Sequence, residues 1–316
     1  MFLVVFLIII ILLNQCYILK IEKNKRIYRV EAEWQEYKKM LPNSTLDYAF
    51  FGDSHIVDAL NPIYINNSFN FGSAGEDYIE TYYKIRKIIE KDRIRINNFI
   101  LQIDRHTLSN KLRTNNRLFM NLMYYSQFIP LNQIAELKEK DRFSLLLEIN
   151  LPIAGKGIEI IDFFKSPPDL TPITLGWNNR TEDFSLGEKE NYTLTRIRDH
   201  FIDNDLVLDS INEKSLEYFC KILEIAKENN IKIILIKYPV SKEYDKGLKK
   251  NNISIENYYN ELFNKINNVT LNYILLDYYD DFFEHLEYFS DPDHLNFVGS
   301  EILSKKVAED SNKDIV

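Results

Sequence analysis

The sequence is poor in cysteine and carries no excess of positive charge. Its 316 residues include only two cysteines, Cys16 and Cys220, too few for a disulfide framework or a cysteine metal site. The formal net charge is −8, with acidic and basic residues well mixed. Because nucleic-acid binding needs a basic patch, this composition argues against a nucleic-acid partner. Hydrophobic residues make up 45% of the chain, enough for the core of one large or two small domains.

One apolar run reaches the length of a short membrane span. Residues 2–13 are all apolar, and residues 1–19 together predict a transmembrane anchor. No small-residue cleavage site follows, so an uncleaved anchor is preferred over a signal peptide. Basic residues follow the run and none precedes it, which by the positive-inside rule predicts a cytoplasmic body. Residues 20–45 are charged with scattered aromatics and are interpreted as a juxtamembrane helix or linker.

Apolar runs of strand length alternate with segments of helical periodicity in the rest of the chain. The strands are predicted at 47–52, 68–72, 99–103, 231–236 and 273–276. The helices are predicted around 76–91, 211–229, 255–266 and 297–308. This alternation predicts an α/β fold, a doubly wound, about five-stranded parallel sheet in one domain spanning residues 46–310.

The alternation fails between residues 107 and 205. This stretch contains aromatic-rich and proline-rich segments but no repeat. Because loops on an α/β scaffold commonly carry specificity, the stretch is interpreted as an insertion that caps the site. A helical elaboration packed away from the site is the alternative.

A candidate active site begins where the first predicted strand ends on Gly52, Asp53 and Ser54. A serine at the rim of a sheet becomes a nucleophile only with a base in hydrogen-bond reach and a group that orients the base. Asp291 and His294, three residues apart near the other end of the chain, supply such a pair. Each residue alone would equally fit a helix-capping or loop role. Their joint occurrence after the first and last strands favours a Ser-His-Asp site at the carboxyl edge of the sheet.

These segments resemble the first and last motif blocks of the SGNH (GDSL) hydrolase superfamily. The resemblance covers residues 46–106 and 206–310 and rests on Gly52-Asp-Ser54 and Asp291-Pro-Asp-His-Leu-Asn296. Together with Asn70-Phe-Gly-Ser-Ala-Gly75, these segments are similar in sequence to those of membrane-anchored SGNH-like proteins of bacterial surface-glycan acylation systems. The resemblance implies an SGNH/flavodoxin-like fold and, against the positive-inside rule, an extracytoplasmic body. It also implies a serine esterase or O-acyltransferase for acylated glycans or small acyl esters, with a membrane acyl-donor protein as a candidate partner.

The resemblance also assigns roles to single residues. Ser54 would be the nucleophile, His294 the base and Asp291 the group that fixes the imidazole tautomer. The backbone N–H groups of Ser54 and Gly75 would bind the oxyanion. The family has an asparagine after the third strand, and by register His106 takes its place here as a weaker oxyanion donor. The missing asparagine motivates the alternative of a catalytically weakened accessory or glycan-binding protein.

Three further residues are candidates for substrate binding. Asp53 and His55 flank the nucleophile, with a structural role open for His55. Arg105 would bind an anionic substrate or pair with the aspartate before it. The remaining histidines, His200 and His285, show no ligand spacing, so neither a metal nor another cofactor is predicted.

Overall fold

The structure is a computed structural model that describes residues 5, 9–17, 37, 45–110, 122–151, 173–186, 189–203, 206–207, 210–270 and 272–313. The chain divides into two compact units. The first comprises Met1–Gln35 and Phe119–Pro172, and the second comprises Glu36–Leu118 and Ile173–Val316. All of the predicted site residues belong to the second unit.

Five parallel strands form the sheet of the second unit. They are β1 (Thr45–Phe51), β2 (Ser68–Asn70), β3 (Arg95–Gln102), β4 (Lys232–Lys237) and β5 (Tyr273–Asp277). The spatial order is β2-β1-β3-β4-β5, the order of flavodoxin-like doubly wound folds. The predicted α/β class with a five-stranded parallel sheet is confirmed.

The carboxyl-terminal halves of β1 and β3 and the middle of β4 are buried on both faces. Ala49, Phe50 and Phe51 of β1 and Ile234 of β4 are fully buried, as expected where helices cover both sides of a parallel sheet. Phe51 pairs with Leu101, and Gln102 pairs with Ile236. The carboxyl ends of β1, β3 and β4 are thereby aligned, so the residues that follow these strands meet at one edge.

Helices occupy the connections. They are α1 (Ser54–Ala59), α2 (Tyr78–Arg86), α3 (Leu122–Tyr125), α4 (Leu131–Lys138), α5 (Arg142–Asn150), α6 (Lys189–Phe201), α7 (Glu213–Glu228), α8 (Lys242–Lys250), α9 (Ile255–Asn267) and α10 (Phe297–Lys313). A π-helical turn, Lys87–Lys91, extends α2, and 3-10 turns cover Pro62–Tyr64, Arg105–Leu108, Phe184–Leu186 and Leu286–Tyr288. Helix α2 begins with a capping box between Asp77 and Glu80.

The first unit contains the N-terminal helical residues 9–17 together with α3, α4 and α5. Within this unit the Asn14 amide donates to the backbone carbonyl of Asn150 at 3.1 Å. Across the described part of the chain, no helix is both long enough and apolar enough to cross a membrane. The predicted linker at 20–45 lies outside the described residues except for Tyr37 and Thr45.

The stretch interpreted as an insertion is divided between the two units. Its described residues 122–151 lie in the first unit. Helix α6 and two short antiparallel pairs of strands belong to the second unit, as does the five-stranded sheet. The second part supplies two arginines to the site described next.

Candidate active site

Ser54 is the first residue of α1 and directly follows the end of β1. The turn between them passes close to β3, because a Cβ at Gly52 would lie 2.8 Å from Cβ of Gln102. Asp53 caps α1 by accepting a hydrogen bond from the His55 N–H at 2.9 Å. This strand, tight turn and helix place Ser54 at the carboxyl edge of the sheet, where its side chain is partly exposed.

Ser54, His294 and Asp291 form a chain of hydrogen bonds. His294 Nε2 lies 2.8 Å from Ser54 Oγ, and His294 Nδ1 lies 2.9 Å from Asp291 Oδ1. A carboxylate on Nδ1 favours the tautomer with its proton there, which leaves Nε2 to accept the serine proton. The structure thus brings together three residues predicted from two motifs 240 positions apart.

A closed loop holds His294 in place. The Ser290 N–H donates to the His294 carbonyl at 2.9 Å, and the His294 N–H donates to Asp291 Oδ1 at 2.9 Å. Asn296 donates through its side-chain amide to the Glu287 carbonyl at 2.7 Å and accepts from the Val298 N–H at the start of α10. The Asp-Pro-Asp-His-Leu-Asn segment therefore forms its own turn and caps the last helix.

A second set of ionisable groups lies beneath the hydrogen-bonded chain. His55 Nδ1 is 2.9 Å from Asp104 Oδ2, and its Nε2 is 3.0 Å from Asp293 Oδ2. His106 Nε2 is 2.7 Å from Asp53 Oδ2. The imidazole rings of His55, His106, His200 and His294 form one cluster, with neighbouring ring centroids 4.2–4.7 Å apart.

Burial and pairing act against each other on the pKa values of this cluster. Burial lowers the pKa of His55, but the hydrogen bonds that its ring makes to Asp104 and Asp293 outweigh burial and raise that pKa well above the usual 6.5. Burial raises the pKa of Asp293, yet the charge of Arg196 brings the net value well below its usual range. Asp291 shifts in the same direction, with burial opposed by the charge of His294. For His200, burial lowers the pKa well below 6.5.

The candidate substrate-binding residues lie in the interior. Asp53, His55 and Arg105 are each 2–5% exposed. Asp53 and His55 are engaged in the carboxylate and imidazole network, and the Arg105 guanidinium lies over the rings of Phe201 and Tyr258, at 5.4 and 4.8 Å from the centroids. These positions favour structural support over the substrate contact that was expected for the three residues.

The expected oxyanion donors separate into two groups. Gly75 has a φ of +74°, which favours glycine, and among the described residues no group accepts from the N–H of Ser54 or of Gly75. These two N–H groups are therefore without a protein acceptor in the described part of the chain. His106 departs from the expectation: the 3-10 turn Arg105–Leu108 directs its Nε2 to Asp53, and its ring stacks on His200.

Two arginines that the sequence did not single out contact the site. Arg180 Nε is 2.6 Å from Asp58 Oδ2, and its Nη1 is 3.0 Å from Asp291 Oδ2. Arg196 on α6 donates to both oxygens of Asp293, at 2.7 and 3.0 Å. No local pattern marks either arginine, because each pairs with a residue about one hundred positions away.

Arg196 also approaches the base. Its Nη2 lies 3.3 Å from His294 Nδ1. A single Nδ1 cannot both carry the proton that Asp291 accepts and accept another from Arg196. The shorter contact, 2.9 Å to the Asp291 carboxylate, decides in favour of the protonated Nδ1.

Two groups of described side chains have the donor types of a metal site. They are Asp53 with His55 and His106, and His55 with Asp293 and His294. Both ring nitrogens of His55, the residue common to the two groups, are hydrogen-bonded to carboxylates. An ion would have to replace those bonds, so the geometry favours a hydrogen-bonded network.

Comparison with known proteins adds little to this geometry. A family described as "Protein of unknown function" (DUF1574) matches residues 180–298, and no curated protein matches the chain. The chain is similar to the solved structure of a candidate acylhydrolase from Bacteroides fragilis NCTC 9343, with 11% identity, a TM-score of 0.40, and 88% of this chain and 95% of that one covered. It is also similar to that of a candidate platelet activating factor from Streptococcus pneumoniae, with 11% identity, a TM-score of 0.41, and coverage of 93% and 98%. The chain itself folds as an α/β protein with a five-stranded parallel sheet, and Ser54, His294 and Asp291 lie in hydrogen-bond contact at the carboxyl edge of that sheet.

Proposed function

We propose that the protein is an SGNH-type serine esterase or O-acyltransferase that acts on acyl esters of a cell-surface glycan. The observation that carries this proposal is the 2.8 Å contact between Ser54 Oγ and His294 Nε2, with Asp291 on the opposite ring nitrogen. A serine hydroxyl acquires nucleophilic character when a positioned base can take its proton. The remaining steps follow from that geometry.

In the first half-reaction Ser54 Oγ attacks the ester carbonyl while His294 Nε2 takes the hydroxyl proton. The carbonyl oxygen becomes an oxyanion that accepts from the N–H groups of Ser54 and Gly75. When the tetrahedral intermediate collapses, the bond to the alcohol breaks and His294 returns the proton to the leaving oxygen. The acyl group is then bonded to Ser54 Oγ, and Asp291 has kept the imidazole in one tautomer throughout.

The second half-reaction distinguishes the two proposed activities. His294 removes a proton from either water or a sugar hydroxyl, whose oxygen attacks the acyl carbon and releases Ser54. Water as the acceptor gives an esterase, and a sugar hydroxyl gives an O-acyltransferase. Both use the same three side chains, so the acceptor site rather than the triad selects between them.

A second candidate function is that of a catalytically weakened accessory or glycan-binding protein. The observation that favours it is the position of His106, whose Nε2 is hydrogen-bonded to Asp53. The site would then have the two backbone oxyanion donors and no side-chain donor from the turn after the third strand. Loss of one oxyanion donor costs roughly 10²–10³ in turnover elsewhere, which is the weakening that this alternative requires.

Anchoring to a membrane through residues 1–19, with the second unit outside the cytoplasm, is part of the proposal. Its support is the apolar run at residues 2–13. An acylated glycan would then meet the site at the cell surface, and a membrane acyl-donor protein would supply the acyl group. Accessibility of a cysteine probe placed at exposed Tyr192 to an impermeant thiol reagent in intact cells would test this orientation.

Hydrolysis of a chromogenic acetate ester and acetyl release from an acetylated polysaccharide test the activity. We expect the full chain to hydrolyse both and Ser54→Ala to lose on the order of 10³-fold or more in kcat. Ser185→Ala, at a partly exposed serine bonded to Asp183, is the matched control and should retain full activity. Equal hydrolysis by the Ser54→Ala variant would exclude the nucleophile. Glycan binding without hydrolysis by the unmodified chain would favour the second candidate.

A further inference from the structure

One guanidinium bridges the two halves of the proposed active site. Arg180 Nε contacts Asp58 Oδ2 at 2.6 Å, and Asp58 lies on α1, four residues after Ser54. The other end of the same side chain, Nη1, contacts Asp291 Oδ2 at 3.0 Å. A single residue thus joins the helix that begins with the serine to the carboxylate that orients the histidine.

The chain around Arg180 is fixed to the same elements. Trp177 Nε1 donates to the Asp58 carbonyl at 3.1 Å and to Ser300 Oγ at 3.0 Å, and Asn178 donates to Asp58 Oδ1 at 2.9 Å. The Arg180 carbonyl accepts from the Phe297 N–H at 2.7 Å. Residues 177–180 therefore bind α1 and α10 together. Helix α1 begins with Ser54, and α10 begins just after His294.

The backbone before Arg180 also requires a glycine, at position 176. Gly176 has a φ of +85°, and a Cβ there would collide with the backbone carbonyl of Asn70 at the end of β2. The Asn70 N–H in turn donates to the Leu175 carbonyl at 3.0 Å. The segment is thus anchored at the edge of the sheet before it reaches Asp58.

We infer that Arg180 is a positioning residue for the Ser54, His294 and Asp291 set. This inference rests on the proposed function. Asp291 Oδ1 faces His294, and Arg180 holds Asp291 Oδ2, so rotation of the carboxylate would break the arginine contact. Arg180 also keeps α1, and with it Ser54, in register with the loop that carries the histidine.

Binding of an anionic substrate is the competing role for Arg180. Two carboxylates, Asp58 and Asp291, already face its guanidinium, and Asp58 is 2% exposed. Their two negative charges exceed its single positive charge, so the local field does not favour a further anion. Among the described residues, the other charged or titratable groups that face His294 are Asp293, Arg196 and His55. Arg180 therefore acts through Asp291 rather than on the substrate.

Arginine variants of the full chain, assayed with the chromogenic ester, test the inference. We expect Arg180→Met to lower kcat by about 10-fold with KM changed less than about twofold, well short of the roughly 10⁴-fold loss known for a triad aspartate. Arg180→Lys should recover only part of kcat, because an ammonium group lacks the fork that spans two carboxylates. Arg86→Met, which removes an exposed ion pair with Glu90, is the matched control.

Chemical rescue separates positioning from a general loss of packing. Ethylguanidinium should restore part of kcat to Arg180→Ala, which leaves space for it, and none to Arg180→Met, which fills that space. Thermal unfolding of each variant shows that the chain is folded under the assay conditions. A kcat within twofold of the unmodified chain in both variants would overturn the inference.

Proton NMR gives a readout that does not need turnover. A hydrogen bond to an ordered carboxylate moves the His294 Nδ1 proton to low field and slows its exchange. We expect this signal in the unmodified chain and in Arg86→Met, and its loss in Arg180→Met. A chain that shows the signal but hydrolyses no ester refutes the proposed function alone, whereas an unchanged signal in Arg180→Met refutes the positioning role whatever the ester assay gives.

Discussion

Arg196 forms a two-point ion pair with Asp293, from Nε to Oδ1 at 2.7 Å and from Nη2 to Oδ2 at 3.0 Å. The Asp293 side chain is fully buried, while that of Arg196 is 23% exposed. The same carboxylate faces His55 Nε2 at 3.0 Å. One buried charge therefore links α6, α1 and the loop that carries His294.

Removal of the arginine should destabilise the protein. Arg196→Met leaves the buried Asp293 carboxylate with reduced compensation, and we expect it to lower the free energy of unfolding by about 3 kcal/mol. Arg196→Lys keeps the charge but loses the two-point geometry, so its loss should be smaller. Urea unfolding at pH 7 measures both. Arg86→Met should change the free energy of unfolding by no more than about 0.5 kcal/mol, because its ion pair is exposed. Equal losses for Arg86→Met and Arg196→Met would contradict this account.

The protein should lose stability as the pH rises through neutrality, because of His55. Its pKa is raised in the folded protein, so the stabilisation is complete below the unfolded pKa of about 6.5 and is lost as the pH rises toward the folded pKa. His200, whose pKa is lowered, acts in the opposite sense and only below about pH 6.5. We therefore expect the free energy of unfolding to decrease between pH 6.5 and 8.

The matched variant for that pH dependence is His55→Gln, which cannot titrate. Its free energy of unfolding should be lower at pH 6.5 and nearly constant up to pH 8. Urea unfolding at four pH values across this range gives the two slopes. Parallel slopes for the two proteins would show that another group causes the dependence.

Gln102 should be required as an amide rather than for its shape. Its Oε1 accepts from the Asp53 N–H at 3.0 Å, and its Nε2 donates to Asp53 Oδ1 at 2.8 Å and Asp104 Oδ2 at 2.9 Å. Gln102→Met leaves these buried groups without that partner and should lower the free energy of unfolding by about 1–3 kcal/mol. Gln102→Glu adds a carboxylate beside two others and should cost more at pH 7.

Acidification distinguishes the two Gln102 variants. Because a carboxyl group among carboxylates has a raised pKa, the Gln102→Glu side chain should gain a proton as the pH falls and become a donor again. The difference in free energy of unfolding between the two variants should therefore narrow from pH 7 to pH 5. A constant difference would place the added charge away from Asp53 and Asp104.

Replacing His106 by asparagine, the residue that the SGNH resemblance led us to expect after the third strand, should not raise ester turnover. The His106 ring is bonded to Asp53 and stacked on His200, so an asparagine removes support instead of adding an oxyanion donor. We expect His106→Asn to lose about 1–3 kcal/mol of stability with no gain in kcat. His285→Asn, an exposed histidine paired with Glu287, is the control. A higher kcat for His106→Asn would restore the role expected from the sequence.

The sheet could be predicted from sequence because its strands contain continuous apolar runs. The predicted segments at 231–236 and 273–276 differ from β4 and β5 by one residue at the ends, although β4 is buried on both faces and β5, at the edge of the sheet, is largely part-exposed. Helix α8 was not predicted. Seven of its nine residues are Lys, Glu, Asp or Gly, and its apolar residues, Tyr244 and Leu248, are too few to show a helical period.

Sequence motifs marked those site residues that lie within a few positions of one another along the chain. Gly52-Asp-Ser54 and Asp291-x-x-His294 each carry their own turn, so local sequence was sufficient to mark them. Arg180 and Arg196 have no such marker, because only the fold brings them to Asp291 and Asp293. The oxyanion role of His106 was predicted from its distance in sequence from the third strand. The 3-10 turn after β3 instead directs its side chain to Asp53.

The 240 positions between Ser54 and His294 also affect how the protein is made. At a synthesis rate of about 5–20 residues per second, the serine leaves the ribosome roughly 10–50 s before the histidine is added. Until His294 is added, the growing chain carries the serine without the base of the proposed site. A transcript that ends between codons 54 and 294 would yield a polypeptide with the serine but without that base.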